Sequence, residues 1–120
     1  MVSIIRKVIY AGLIASGLAG VAFAHAVLVK STPAPNEVIS GPNVPVTLTF
    51  NSRVDQARSA LTLESRDHPA VKLKVDADPS SPAKLEAKIS NLVAGSYTLR
   101  WQVLAVDGHI TRGEIPFQVK

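Results

Sequence analysis

From residue 44 onward, apolar side chains recur at every second position. Val46, Leu48 and Phe50 alternate with Thr47 and Thr49, and Leu61 and Leu63 with Thr62 and Glu64. Val71, Leu73 and Val75 alternate with Lys72 and Lys74, and Leu85, Ala87 and Ile89 with Lys84, Glu86 and Lys88. Near the end, Ile115, Phe117 and Val119 alternate with Glu114, Pro116 and Gln118. A period of two puts one face of each segment in a core and the other in water, as antiparallel sheets do. Two further runs break the alternation. Ala26–Lys30 is apolar at consecutive positions, and Tyr97–Val106 is apolar on both faces toward its end. Both predict interior strands. No window of about a dozen residues carries a helical period.

Turn chemistry separates these runs: Pro33-Ala34-Pro35-Asn36, Gly41-Pro42-Asn43, Asp67-His68-Pro69, Asp78-Pro79-Ser80-Ser81-Pro82 and Asp107-Gly108. About seven short strands with frequent turns predict an all-β Greek-key sandwich or barrel, immunoglobulin-like in outline. In Leu92-Val93-Ala94-Gly95-Ser96-Tyr97, a Leu and a Gly precede a Tyr at a strand start. That is the pattern of a tyrosine corner, in which the phenol bonds back to upstream backbone. Trp101, four residues on, shares the face of Tyr97 and is read as a core residue.

The first two dozen residues read differently. Arg6 and Lys7 precede an uncharged apolar run from Val8 to Ala24, which ends in Ala22-Phe23-Ala24. A cationic start, an apolar stretch and a small-x-small site make a secretory signal, with cleavage expected after Ala24. The rival is a retained anchor. The run has 17 residues and contains Gly12, Gly17 and Gly20, which places it at the lower edge of a spanning helix. Residues 25–120 then form a single mature domain that begins at His25.

Charge and composition narrow the chemistry. The chain's formal charge of +4 includes Arg6 and Lys7; without them, 11 Lys and Arg face 9 Asp and Glu, or +2. The charges alternate in sign and form no basic block, so no nucleic-acid partner is expected. There is no cysteine, and the single methionine is Met1. That excludes a disulfide scaffold, a thiolate site and a thioether ligand in the mature chain.

The remaining metal-capable chemistry lies in three histidines, His25, His68 and His109, and in Asp107. A histidine at a chain start offers its imidazole and the α-amine together. The amine has a pKa of about 8, so a strongly bound metal can displace its proton. Alternatively, His25 is merely the residue after a cleavage site. In an extended segment, Asp107 and His109 would point the same way; alternatively, Asp107-Gly108 is a hairpin turn and His109 a bystander. An amine, two imidazoles and a carboxylate would suit tetragonal Cu(II) best, with Zn(II) the competitor. His68 reads as an exposed turn residue or a weak second copper site. No G-x-S-x-G, H-E-x-x-H, P-loop or G-x-G-x-x-G motif occurs, and no acid/base carboxylate pair stands out. The chain is therefore not expected to be an enzyme.

The start His25-Ala26-Val27-Leu28-Val29-Lys30-Ser31-Thr32-Pro33-Ala34 resembles the opening of the CopC-type periplasmic copper-binding proteins. Val46–Asn51, the Leu92-to-Trp101 segment, and Val106-Asp107-Gly108-His109 followed by Gly113 to Val119 resemble their later motifs. The resemblance spans essentially the whole mature chain. It implies a cupredoxin-like Greek-key β-barrel in the periplasm, with one Cu(II) held by His25 (amine and imidazole), Asp107 and His109. It implies a carrier or buffer in copper resistance or homeostasis, beside a CopD-type inner-membrane copper transport protein, and a monomer is expected. Two features depart from family members. The mature chain has no methionine for Cu(I), which argues against a two-site shuttle. In Phe50-Asn51-Ser52-Arg53 no glutamate follows the strand, so Arg53 either pairs with Asp55 or sits near the site. Two other functions are weighed against this one. A histidine-brace copper redox enzyme also uses an amino-terminal histidine, but 96 residues leave little flat area for a polysaccharide, so no polysaccharide partner is expected. A metal-free β-sandwich adhesion or assembly module would show no copper-dependent rise in melting temperature.

Overall fold

The computed structural model describes residues 25–120, and the predicted signal, residues 1–24, lies outside them. Eight strands follow one another: β1 (Leu28–Thr32), β2 (Glu37–Ile39), β3 (Val44–Phe50), β4 (Ala60–Ser65), β5 (His68–Leu73), β6 (Lys84–Ile89), β7 (Gly95–Leu104) and β8 (Ile110–Val119). No helix occurs among the described residues. The strands form a three-stranded sheet, β1-β3-β6, and a five-stranded sheet, β2-β8-β7-β4-β5. Their inner faces meet in one core, giving a cupredoxin-like β-sandwich.

The alternation read from the sequence is the alternation that is buried. β3 turns Val44, Val46, Leu48 and Phe50 inward, and β6 turns in Leu85, Ala87 and Ile89. From the other sheet come Leu61 and Leu63, then Tyr97, Leu99, Trp101 and Val103, and finally Ile115, Phe117 and Val119. Leu48, Leu61, Leu85, Leu99 and Val103 are fully buried. Each fully buried aliphatic side chain of this size contributes about 1.5–3 kcal/mol relative to exposure, which suits a domain without disulfides.

Three expectations change. β2 is an additional strand and pairs parallel to β8, with Glu37 opposite Phe117 and Ile39 opposite Val119. Three residues are too few to show a period, so only the neighbour reveals it. β1 is an edge strand and not an interior one. It pairs with β3 alone, through a bulge between Leu28 and Lys30 that leaves Val27 and Val29 in solvent. Val71 on β5, the edge strand of the wider sheet, is likewise exposed.

Two aromatic pairs brace the interior. Tyr97 stacks on Phe117 with ring centroids 5.6 Å apart, and its hydroxyl donates to the Val93 carbonyl at 2.7 Å. This is the tyrosine corner expected from Leu92–Tyr97. Phe50 meets Trp101 edge to face at 5.4 Å. Gly113 lies across the ladder from Trp101, and any β-carbon there would overlap the indole ring. The glycine is thus required by close approach.

Candidate metal centre

The candidate ligands come together at one end of the sandwich, where β7 turns into β8 and where the described residues begin. The β7–β8 connection is tight. The Ala105 amide donates to the His109 carbonyl at 2.8 Å, and the Gly108 amide to the Ala105 carbonyl at 3.0 Å. Gly108 has φ 89°, a value that L side chains rarely adopt. Asp107 and His109 therefore converge because the chain folds back through a left-handed glycine. They do not lie on one side of an extended segment, as the sequence spacing suggested. The turn and the pairing, posed as alternatives above, are one structure.

Asp107 grips His109 at two points. Its Oδ1 accepts the His109 backbone amide at 3.0 Å, and its Oδ2 lies 2.8 Å from Nδ1 of the His109 ring. An ionised carboxylate only accepts, so Nδ1 is the protonated nitrogen in this contact, and Nε2 is the ring nitrogen that would offer a lone pair to a metal. The His109 backbone amide, then the His109 side chain, hold the Asp107 carboxyl below the usual carboxylate range, with desolvation opposing them. The charges of the His109 and His25 rings add to the lowering.

His25 arrives from the opposite sheet. Ala26 is buried at 1% exposure and anchors the segment that carries His25 in the core. Asn51, just past β3, then clamps the next residue twice: its side-chain oxygen accepts the Val27 amide at 2.8 Å, and its own amide donates to the Val27 carbonyl at 2.9 Å. The His25 ring consequently stands 5.0 Å from the His109 ring at 70°. One ligand atom from each of His25, Asp107 and His109 lies within 4.8 Å of the others, and all three residues are exposed. Nitrogen and oxygen ligands at about 2.0–2.2 Å from one ion lie within roughly 4.4 Å of each other, so small rotations of exposed side chains would close the set. Donors without sulfur fit Cu(II) or Zn(II).

His68 is not part of this cluster. It opens β5 next to the Arg66-Asp67 turn, with Nδ1 3.4 Å from the Ser65 hydroxyl. Ser65 pairs with Tyr97, whereas the candidate ligands sit beyond Leu104, so His68 lies toward the other end of the sandwich. Among the described residues, the three-residue group of His25, Asp107 and His109 is the only one with metal-binding spacing.

The loops around the centre are fastened by residues that no motif singled out. Gln56 Nε2 donates to the carbonyls of Ser81 and Lys84 at 2.9 Å, and its Oε1 accepts the Asp78 amide at 2.9 Å. Asp55 pairs with Arg58 at 3.8 Å. Arg53 therefore takes the second of its two expected places: it lines a shallow cleft with Val106 and Gly108, next to the centre. Asn51 and Gln56 act through contacts across the sequence, which leave no local signature.

Comparison with known proteins follows the same lines. A family model described as the CopC domain matches residues 28–120. Copper resistance protein C of Xanthomonas campestris pv. juglandis is 32% identical over 116 residues, covering 90% of this chain and 91% of that protein. The crystal structure of CopC from Methylosinus trichosporium OB3b superposes with a TM-score of 0.74 at 27% identity, covering 80% of this chain and 94% of that one. Copper transport protein CutJ of Bacillus subtilis is 28% identical over 102 residues, which are 81% of this chain and 18% of CutJ. With the family model covering nearly the whole described chain, and a sandwich that matches a solved member over its length, this protein belongs to the CopC domain family.

Proposed function

We propose that the mature chain is a periplasmic Cu(II) carrier and buffer, loaded with one ion per chain and not itself an enzyme. The observation that carries this reading is the meeting of His25, Asp107 and His109 at an exposed end of the fold. Relatives named for copper resistance and copper transport support copper over zinc as the cargo. In this reading the His109 Nε2 and the His25 imidazole bind the ion, and cleavage after Ala24 supplies the His25 α-amine as a further nitrogen. Asp107 either donates an oxygen or holds the His109 ring with Nε2 outward. Loading displaces the amine proton, so affinity rises with pH. A precursor still carrying residues 1–24 has an amide in place of that amine, which confines tight loading to the far side of the inner membrane. The partner in this reading is a CopD-type inner-membrane copper transport protein; support comes from CutJ, a copper transport protein of which the matching region is only a part.

The test is a mature protein with one glycine added before His25, compared with the authentic start. Cu(II) affinity should fall about a hundredfold or more, because the chelate loses its amine (about 2.8 kcal/mol at 1.4 kcal/mol per decade). Equal affinity would show that the amine is not a ligand. An intact mass from the periplasm, with and without Cu(II), checks the cleavage site and the stoichiometry together.

A further inference from the structure

Three of the seven large exposed hydrophobic side chains among the described residues border the proposed centre. Val27, Val106 and Ile110 are 52%, 74% and 51% exposed, and each lies within two residues of a candidate ligand. Val106 continues into the shallow cleft formed with Val54, Leu104 and Gly108, whose rim carries Arg53 and Arg58. Gly108, which lines this cleft, is also the residue between Asp107 and His109, so the cleft and the centre are one continuous surface. Arg58 is answered by Asp55, and Arg53 has no ion-pair partner among the described residues. An exposed valine at the tip of a tight turn adds nothing to the core, and three beta-branched side chains around an ion site are atypical for a face that meets only water.

We propose that this face, the Val106 rim together with the Arg53 and Arg58 cleft, docks the protein that takes the ion, through a segment on which a carboxylate stands beside apolar side chains. The inference rests on the carrier reading given above. A carrier whose ion sits at an exposed end transfers it only if the acceptor's ligands approach at that end, so the surrounding surface must lie within the contact. Charge selects the occupant. Two guanidinium groups face one carboxylate in the cleft, and a divalent ion on the adjacent centre adds positive charge that Asp107 alone does not cancel. A second copy would bring the same sign to the same face, whereas an acidic segment is attracted to it and would pair with the free Arg53. The aliphatic rim excludes water around that pair, as apolar surroundings do at interface hot spots.

The experiment follows Cu(II) leaving the loaded mature protein for two acceptors: a purified CopD-type inner-membrane protein in nanodiscs, and EDTA. The variants are Arg53→Gln and Val106→Ser, each first checked for Cu(II) affinity and melting temperature. Transfer to the membrane protein is expected to slow at least tenfold in both variants, with transfer to EDTA within twofold of the unaltered protein. Unchanged transfer to the membrane protein overturns the docking face, as does equal slowing to both acceptors, which marks an effect on the centre itself. Sedimentation of the loaded protein as a dimer that Arg53→Gln dissolves assigns the face to a second copy and also overturns the proposal. So does flotation with anionic phospholipid vesicles that Arg53→Gln abolishes, which would make the occupant a lipid surface. If the unaltered protein fails to bind Cu(II) at all, the carrier reading fails first, and that result is distinct from each of the others.

Discussion

The two ends of the sandwich use similar materials to opposite purposes. Each end is floored by an aromatic pair, Phe50 with Trp101 at one and Tyr97 with Phe117 at the other. At the Tyr97 end the polar atom is spent inside the fold, since the hydroxyl closes the corner on Val93. At the other end, above Phe50 and Trp101, the polar groups are aimed outward. The His25 and His109 side chains bond to no core group; their neighbours are each other and Asp107. One end therefore converts hydrogen-bonding capacity into stability, and the other keeps it available for a ligand. The backbone around the ligands is nevertheless firmly held, by Asn51, Gln56 and the bonds that close the Ala105–His109 turn. Rigid loops with unsatisfied tips are what a preorganised ion site requires.

This contrast can be broken from either side. The largest expected effect is from His109→Ala, which should cost about a hundredfold or more in Cu(II) affinity by competition titration, with the metal-free melting temperature nearly unchanged. The matching control is His68→Ala, which should leave affinity and stoichiometry as they were; loss of the ion there would dissolve the distinction between the ends. Next comes Gly113→Ala, which forces a methyl group into the Trp101 indole and should destabilise the metal-free protein by about 1–3 kcal/mol in urea unfolding. A neutral result would mean that the indole shifts freely. Tyr97→Phe should cost about 1 kcal/mol by removing one hydrogen bond and leaving the Val93 carbonyl without it. Its Cu(II) affinity should not change.

The smallest effect concerns acid. Because the folded state lowers the Asp107 carboxyl, chiefly through the His109 backbone amide, it favours the ionised form. The associated stabilisation is present above the usual carboxylate range and is lost as pH falls through the lowered value. Asp107 is exposed, so the contribution to global stability is slight, and the readout is local. In the metal-free protein its carboxylate signal should titrate below ordinary aspartates, and His109→Ala, which removes the ring but keeps the backbone amide, should move it only part of the way back. A normal titration in the unaltered protein would show that the contacts to His109 do not persist in solution.

Much of this was legible before any coordinates. Alternation at Val46–Phe50, Leu61–Leu63, Leu85–Ile89 and Ile115–Val119 maps directly onto buried faces, because a period of two is a property of single strands. The tyrosine corner was also readable, being a contact over four residues. Edges were not. Nothing in Ala26–Lys30 distinguishes a strand with two neighbours from one with a single neighbour and a bulge, and β2 exists as a strand only beside β8.

The candidate site divides in the same way. The sequence by itself determined its chemistry: three histidines, no cysteine, no methionine after Met1, and an Asp-Gly-His run leave a nitrogen and oxygen donor set and little else. The turn was legible too, since Asp107-Gly108 is local. Only the tertiary structure decided that His25, more than eighty positions earlier, meets that turn. It does so because Ala26 is buried and Asn51 fastens Val27, and both depend on β1 lying against β3 across the core. It also decided that Arg53 belongs to the cleft beside Gly108 while Asp55 pairs with Arg58. Residue types and short-range turns are properties of the chain, whereas contacts between distant segments exist only once a shared core fixes where each segment ends.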